Sequence, residues 1–197
     1  MTNQPNELDF DLRRIVVIGS SCSGKTTLAK QIAGELGSQH IESDAFHWMP
    51  DWVRRPSEEL RKLTAEAVAQ DRWVVDGNYL LVRDIVWVRA TTVIWLDYSF
   101  PVVFFRALRR TLSRSLTGRE LFSGNRESLA KAFLSKESIL LWVITTFHRR
   151  RREFQQIIGN DEFPSLRFVR LHRQRETGQL IGSIQQRISD RPAEDRK

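Results

Sequence analysis

The sequence predicts an α/β fold in which about five parallel strands form one sheet between two layers of helices. Short apolar runs without polar alternation recur along the chain, as in strands that are buried on both faces. Helical patterns separate these runs, and strands that alternate with helices build a mainly parallel sheet. The length of 197 residues suits one domain with a sizeable core.

The first predicted elements surround a glycine-rich loop. Ile15-Val16-Val17-Ile18 is a β-branched run typical of a buried strand, and residues 26–36 form a helical pattern that ends at Gly37. Residues 39–42 predict a second, short strand. Pro56 and the two glutamates behind it open a helix to about residue 70, because proline and acidic residues suit a first turn.

The remaining elements continue the alternation to the end of the chain. Two more buried strands, each followed by an aspartate, are expected at 73–75 and 92–96, and a final strand is expected at 166–171. Helices are expected at 101–116, at 128–158 (in one or two pieces) and at 177–188. No internal repeat or low-complexity linker interrupts them, so residues 13–188 are expected to form a single domain. Residues 1–12 and 189–197 are expected to be tails.

The charge of the chain is unevenly distributed. Lys and Arg number 31 against 24 Asp and Glu, which gives a formal charge of +7. Residues 1–98 carry −3 and residues 99–197 carry +10. A basic half indicates a polyanionic ligand, which is either a nucleic acid or a nucleotide phosphate.

Cysteine content and hydropathy exclude several classes of protein. The single cysteine, Cys22, allows neither an internal disulfide nor a zinc cluster, and it favours a reducing compartment. No apolar run approaches the roughly 20 residues of a membrane span, and the polar start of the chain lacks a signal-peptide core. We therefore expect a cytoplasmic protein with no membrane partner.

Residues 19–26 match the pattern G-x-x-x-x-G-K-[ST] at every fixed position. Glycines let the backbone turn tightly so that successive N–H groups face phosphate oxygens, and the following helix adds its positive end. In this pattern Lys25 reaches the β- and γ-phosphates and the Thr26 hydroxyl binds Mg²⁺. The predicted ATP-binding residues here are Gly19, Ser21, Cys22, Ser23, Gly24, Lys25, Thr26 and Thr27.

The order of motifs after this P-loop resembles the nucleoside-monophosphate-kinase-like branch of P-loop kinases, which includes adenylate, shikimate and gluconate kinases. It is most similar to the adenylate-kinase-related proteins often labelled DNA topology modulation proteins. The blocks that carry the resemblance are 19–26, 43–48, 73–79, 117–120 and 124–128. The resemblance implies a P-loop NTPase fold with a helical lid at about 109–127 and an acceptor-side insertion at about 45–70.

The resemblance also suggests residues for the phosphoryl acceptor and the metal. Asp44 stands where shikimate and gluconate kinases place an aspartate that receives the acceptor hydroxyl, and a carboxylate suits that task; a helix N-cap is the alternative. Asp44 and His47 together are similar to a gluconate-kinase pattern. Asp76, followed by Gly77, resembles the Asp-Gly pair of adenylate kinases that holds a Mg²⁺-bound water, with Asp97 as the competing candidate.

Further residues are predicted to contact the acceptor. Guanidinium groups bind phosphate or carboxylate through two hydrogen bonds, and Trp rings stack on a base or sugar, although simple packing and surface charge are the alternatives. These acceptor-side candidates are His47, Trp48, Arg54, Arg55, Gly77 and Asn78.

Arginines of the second half fall where the resembling kinases carry their lid. Such residues neutralise the charge that develops on the transferring phosphoryl group. Arg106 and Arg110 share one helix face, whereas Arg119 and Arg126 lie in a glycine-containing segment and are favoured as catalytic lid residues. Arg114 is a further candidate for the nucleotide.

Two basic segments remain. Arg173 follows the last strand, where relatives surround the adenine, although it and Arg175 are equally compatible with a simple loop. The run at 149–152 is interpreted as a solvated helix surface, with nucleic-acid contact as the alternative. The sequence thus predicts an ATP- and Mg²⁺-dependent phosphotransferase with a small-molecule acceptor, and a nucleic-acid-associated ATPase as the second hypothesis.

Overall fold

The computed structural model describes residues 10–78, 80–117, 138–160 and 162–190, with the side chains of 114–117 outside that description. Five strands form one sheet: β1 (Arg14–Gly19), β2 (Gln39–Glu42), β3 (Trp73–Asp76), β4 (Thr92–Leu96) and β5 (Arg167–Leu171). Their order across the sheet is β2-β3-β1-β4-β5, and every neighbouring pair is parallel. The predicted fold class is confirmed.

Seven helices connect and flank the strands in the described residues: α1 (Lys25–Leu36), α2 (Ser43–His47), α3 (Ser57–Ala67), α4 (Arg83–Arg89), α5 (Phe100–Thr117), α6 (Ile139–Gly159) and α7 (Gln174–Ser189). Short 3-10 turns occur at Pro50–Trp52 and Leu80–Val82. The sequence patterns did not predict α2 and α4. Residues 128–137 of the predicted long helix lie outside the described residues.

Two apolar clusters cover the two faces of the sheet. One joins the sheet to α1, α5, α6 and α7 and includes Ile32, Val103 and Leu180. The other joins it to α3 and α4 and includes Leu60 and Trp87. Each fully buried aliphatic side chain contributes about 1.5–3 kcal/mol to folding. Burial on both faces explains why the three central strands, β3, β1 and β4, lack polar alternation.

The sheet topology defines where a ligand can bind. Because all five strands are parallel, their carboxyl ends lie along one edge of the sheet. The chain leaves β1 and returns through β2 and β3 on one side before crossing to β4 on the other. Ligands of open α/β sheets bind in the crevice beside such a reversal of strand order. The loop after β1 lies at this point.

None of the helices in the described ranges combines the length and the apolar character that a membrane crossing requires.

Candidate active site

The loop between β1 and α1 has the backbone of a phosphate cradle. Gly19, Cys22 and Gly24 have positive φ angles of 150°, 64° and 101°. Alternation of right- and left-handed residues turns successive N–H groups toward one concave surface, which binds anions. Gly24 is also the N-cap of α1, so the positive end of this helix faces the same surface.

Gly19 has no room for a side chain. A Cβ atom at this position would lie 2.8 Å from the Leu96 carbonyl oxygen and 2.8 Å from Ser23 Oγ. The loop therefore begins in close contact with Leu96, the last residue of β4. This close approach fixes the start of the cradle relative to the strand ends.

Lys25 is the first residue of α1 and carries the ammonium group of the cradle. Its Nζ donates a hydrogen bond to the Ser20 carbonyl oxygen at 3.1 Å. Desolvation lowers the pKa of the Lys25 ammonium, while the carboxylates of Asp44 and Asp76 oppose that shift. The structure therefore brings three sequence-predicted residues from three separate segments into one electrostatic environment.

Asp76 ends β3 and lies beside two polar residues of β2. The strand register pairs it with Glu42, and its Oδ1 lies 3.5 Å from His40 Nε2. Asp76 is buried, and its Oδ1 accepts no hydrogen bond from the described residues. Burial raises the pKa of Glu42, and the neighbouring Asp76 carboxylate raises it further. Sequence patterns missed Glu42 and His40 because their proximity to Asp76 depends on the register of β2 against β3.

The raised pKa of Glu42 predicts how a substitution changes stability. The native protein binds the Glu42 proton more tightly than the unfolded chain does, so this group costs stability as pH rises through its native pKa. We expect Glu42→Gln to raise the free energy of unfolding by less than about 1 kcal/mol at neutral pH, because the side chain is partly solvated.

Thermal denaturation between pH 4 and pH 8 measures this effect, and the gain should vanish as pH falls below about 4.3. Glu66→Gln makes the same change at an exposed position of α3 and is the matched control. A gain that is equal at all pH values would contradict the assignment.

The residues at this edge fit a magnesium ion. Mg²⁺ prefers oxygen ligands, keeps several waters and is usually held by one or two protein groups together with substrate phosphates. The buried Asp76 Oδ1, which is left without a hydrogen bond, is suited to a metal-bound water, and Thr26 follows Lys25 at the base of the cradle. The described chain contains no group of three or more His, Cys, Asp or Glu side chains that could hold a metal ion by themselves.

Asp97, the competing candidate after β4, forms ion pairs with arginines of α6 and β5. Its carboxylate lies 2.7 Å from Arg151 Nε and accepts hydrogen bonds from Arg170, with His172 Nδ1 at 3.5 Å. The Arg170 guanidinium also covers the Trp95 ring at 4.4 Å. These contacts tie α6 to β4 and β5. The geometry therefore favours Asp76 over Asp97 for a metal-bound water.

Gly77 and Asn78 follow β3 and contact the cradle itself. Gly77 has φ 143°, and its N–H donates to the Val17 carbonyl at 3.3 Å. The Asn78 side chain accepts a hydrogen bond from the Gly19 N–H at 3.2 Å and donates one to the Gly19 carbonyl. Asn78, which sequence analysis placed on the acceptor side, is thus in contact with the nucleotide side.

Two arginines of α5 contact the P-loop. Arg106 donates to the Ser23 carbonyl at 2.6 Å, and its guanidinium covers the Tyr98 ring at 4.8 Å. Arg110 Nη1 lies 3.8 Å from Cys22 Sγ. The helix face inferred from their spacing is the one that meets the P-loop. Arg119, Arg126 and the Arg114 side chain lie outside the described residues.

The acceptor-side candidates cluster after β2. Asp44 lies in the first turn of α2, where the N-cap is Glu42 and not Asp44. His47 and Trp48 end this segment with their ring centroids 4.6 Å apart, and Trp48 pairs its backbone with Arg54. Desolvation and then the Arg54 charge lower the pKa of His47, while Asp44 opposes the shift.

Arg55 has a structural contact within this cluster. Its Nε donates to the Phe46 carbonyl at 2.7 Å, and its Nη1 lies 3.3 Å from Glu59. It braces the loop that carries Trp48 and Trp52. Arg54, by contrast, is exposed beside His47. The structure therefore favours Arg54 over Arg55 as a side chain that meets an acceptor.

The arginine run at 149–152 is not a uniformly solvated surface. Arg151 pairs with Asp97, and Arg150 donates to the Asn78 carbonyl at 3.5 Å. Arg149 and Arg150 both lie within 4 Å of Glu153, at 3.7 and 3.9 Å. The sequence interpretation is wrong for Arg150 and Arg151, because helical spacing turns them toward the strand ends. Arg173 is exposed at the N-cap of α7.

Three comparisons relate this chain to known proteins. Residues 15–164 match the family model described as an AAA domain. A segment of 46 residues is 48% identical to a probable gluconokinase of Schizosaccharomyces pombe; it covers 23% of this chain and 21% of that protein. The match thus spans about a fifth of the relative's length.

Two solved structures share the architecture. A shikimate kinase from Acinetobacter baumannii in complex with shikimate has a TM-score of 0.50 at 16% identity, covering 90% of this chain and 93% of that one. A gluconokinase from Sinorhizobium meliloti 1021 has a TM-score of 0.50 at 18% identity, covering 89% and 93%. At these identities the likeness shows the fold.

Proposed function

This chain belongs to the AAA domain family, and from that premise we propose that it moves the γ-phosphoryl group of ATP to a small hydroxylated acceptor. The family match, the P-loop and the fold shared with two kinases support a small-molecule kinase. The 46-residue likeness to a probable gluconokinase points to the same class of enzyme.

The observation that carries this proposal is the placement of Asp44. It lies in the first turn of α2, directly after β2, and its negative charge raises the pKa of the Lys25 ammonium of the cradle. A carboxylate and a phosphate-binding ammonium at one sheet edge provide the two polar functions of phosphoryl transfer to a hydroxyl group. One accepts the hydroxyl proton, and the other stabilises charge on the transferring group.

The proposed mechanism is an in-line transfer. The acceptor oxygen attacks the γ-phosphorus, the bond to the β-phosphate oxygen breaks, and Asp44 accepts the proton that the acceptor loses. Lys25 and the backbone N–H groups of the cradle hold the phosphate oxygens. Thr26 and, through water, Asp76 would hold Mg²⁺, which neutralises charge on the phosphates when bound. Arg119 and Arg126 are proposed as lid residues that neutralise the charge on the transferring phosphoryl group.

The acceptor is proposed from the cluster after β2. Asp44 with His47 is similar to a gluconate-kinase pattern, which favours a hydroxylated metabolite, and the exposed Arg54 suits an acceptor with a carboxylate or phosphate group. The Asp76-Gly77 pair resembles adenylate kinases and makes a nucleoside monophosphate the second candidate acceptor. Membership of the DNA topology modulation subfamily likewise stays a proposal that the motif blocks support.

A nucleic-acid-associated ATPase is the weaker alternative. It was suggested by the arginine run, but Arg151 is paired with Asp97, and Arg149 and Arg150 lie beside Glu153. Pairing within the protein leaves fewer cations for a phosphate backbone.

The proposal is tested by ADP release from the purified protein with Mg²⁺ and ATP. One series adds sugar acids, related hydroxy acids or nucleoside monophosphates singly, and a second adds duplex DNA. We expect one class of small acceptor to stimulate ADP release. Stimulation by DNA alone, with a steep dependence on salt, would overturn the proposal.

A further inference from the structure

The end of β1 is paired in an unusual way on the side that faces β3. The parallel register runs from Arg14 opposite Trp73 to Val17 opposite Asp76, where β3 ends. Gly77 still donates its N–H to the Val17 carbonyl. Alternate residues of a strand face the same neighbour, so the backbone groups of Gly19 point beyond the last residue of β3.

Beyond the end of β3, the side chain of Asn78 binds both backbone groups of Gly19. Its Oδ1 accepts from the Gly19 N–H at 3.2 Å, and its Nδ2 donates to the Gly19 carbonyl. A primary amide presents one acceptor and two donors, so it can copy the two bonds of a neighbouring backbone. The amide thus extends the sheet by one step at the first residue of the P-loop.

A residue of α6 binds the backbone of Asn78. Its backbone carbonyl accepts a hydrogen bond from Arg150 Nη1 at 3.5 Å. The Arg150 side chain is only 23% exposed and belongs to α6. Asn78 therefore links α6 to the cradle, because its backbone binds Arg150 and its side chain binds Gly19. Gly19, which the Asn78 side chain binds, has no room for a side chain of its own, because Leu96 and Ser23 fill that space.

We propose that Asn78 is a positioning residue for the nucleotide and not a ligand of the acceptor. By fixing both backbone groups of Gly19, it sets the direction in which the cradle leaves the sheet, and with it the orientation of the N–H groups that meet the phosphates. The inference rests on the proposed function, since it assumes that the cradle binds ATP. It assigns Asn78 a role different from the acceptor contact that the sequence suggested.

The test is the dissociation constant for ATP with Mg²⁺ and without acceptor, measured by isothermal titration calorimetry. Asn78→Leu keeps the size of the side chain but leaves both Gly19 groups unpaired, and we expect the dissociation constant to rise about tenfold. Asn78→Ala lets water reach Gly19 and should give a smaller rise. Gln179→Leu, the same loss of an amide at an exposed position of α7, should change nothing.

The outcomes separate the two assignments. A raised ATP dissociation constant, in variants whose thermal denaturation shows them folded at the assay temperature, supports positioning. An unchanged ATP affinity with a raised acceptor KM would make Asn78 an acceptor ligand and overturn the inference. Failure of the unsubstituted protein to bind ATP would instead overturn the proposed function.

Discussion

Lys25→Met should lower the rate of phosphoryl transfer about a thousandfold, the upper part of the loss seen when one donor to a developing anion is removed. Methionine keeps most of the length of the side chain and removes its charge. Nothing else described at the cradle can replace it, because Arg106 binds the Ser23 carbonyl and Arg110 contacts Cys22.

The same variant should not unfold. Because desolvation lowers the pKa of Lys25 in the native state, the charged ammonium costs stability at every pH below its native pKa. We therefore expect thermal stability at pH 7 to be unchanged or raised. Lys62→Met removes a charge from an exposed position of α3 and is the matched control for both measurements. Equal losses of rate in the two variants would contradict a role for Lys25 in the cradle.

Asp44→Asn should lower kcat by about a hundredfold to ten-thousandfold, the range for removal of a general base. The amide has the shape of the carboxylate but cannot accept the proton of the acceptor hydroxyl. ATP affinity should be retained, because the Lys25 ammonium and the backbone N–H groups of the cradle still hold the phosphates. Single-turnover kinetics together with calorimetric titration of ATP measure the two quantities.

Asp51→Asn is the matched control for this substitution. Asp51 is exposed in the same part of the chain and has φ 60°, a left-handed conformation that asparagine also adopts readily. The control should keep full activity. A loss of ATP affinity in Asp44→Asn that equals its loss of rate would contradict a base and indicate a general disturbance of the site.

The central strands could be predicted because burial on both faces gives an apolar run without polar alternation. The β-branched runs at 15–18 and 92–96 have no alternation, and the structure places each between two apolar clusters. No local sequence pattern predicts the helix α4. Its core, Ile85-Val86-Trp87-Val88, has the composition of a strand, yet it is helical because Val86 and Trp87 pack inward against the sheet.

The P-loop could be recognised from spacing alone, whereas its supports could not. The bonds from Asn78 to Gly19 and from Arg106 to Ser23 join residues 59 and 83 positions apart, and no local pattern encodes them. The same holds for Glu42, which meets Asp76 only through strand register.

The two strand-end aspartates show the limit most clearly. Asp76 and Asp97 follow equivalent apolar runs, and both strands are neighbours of β1. Their difference lies in partners that come from later in the chain, since Arg151 and Arg170 neutralise Asp97 and leave Asp76 beside Glu42. The basic second half thus serves partly to balance a buried carboxylate of the first half.

The fate of the γ-phosphate tests the central proposal most directly. The protein is incubated with ATP that carries oxygen-18 in its γ-phosphate and with the acceptor that stimulates ADP release, and the label is followed by mass spectrometry. The account predicts that the label appears on the phosphorylated acceptor, in an amount equal to the ADP formed, and that Asp44→Asn lowers its rate of appearance at least a hundredfold. Label recovered only as inorganic phosphate would contradict phosphoryl transfer to a small acceptor.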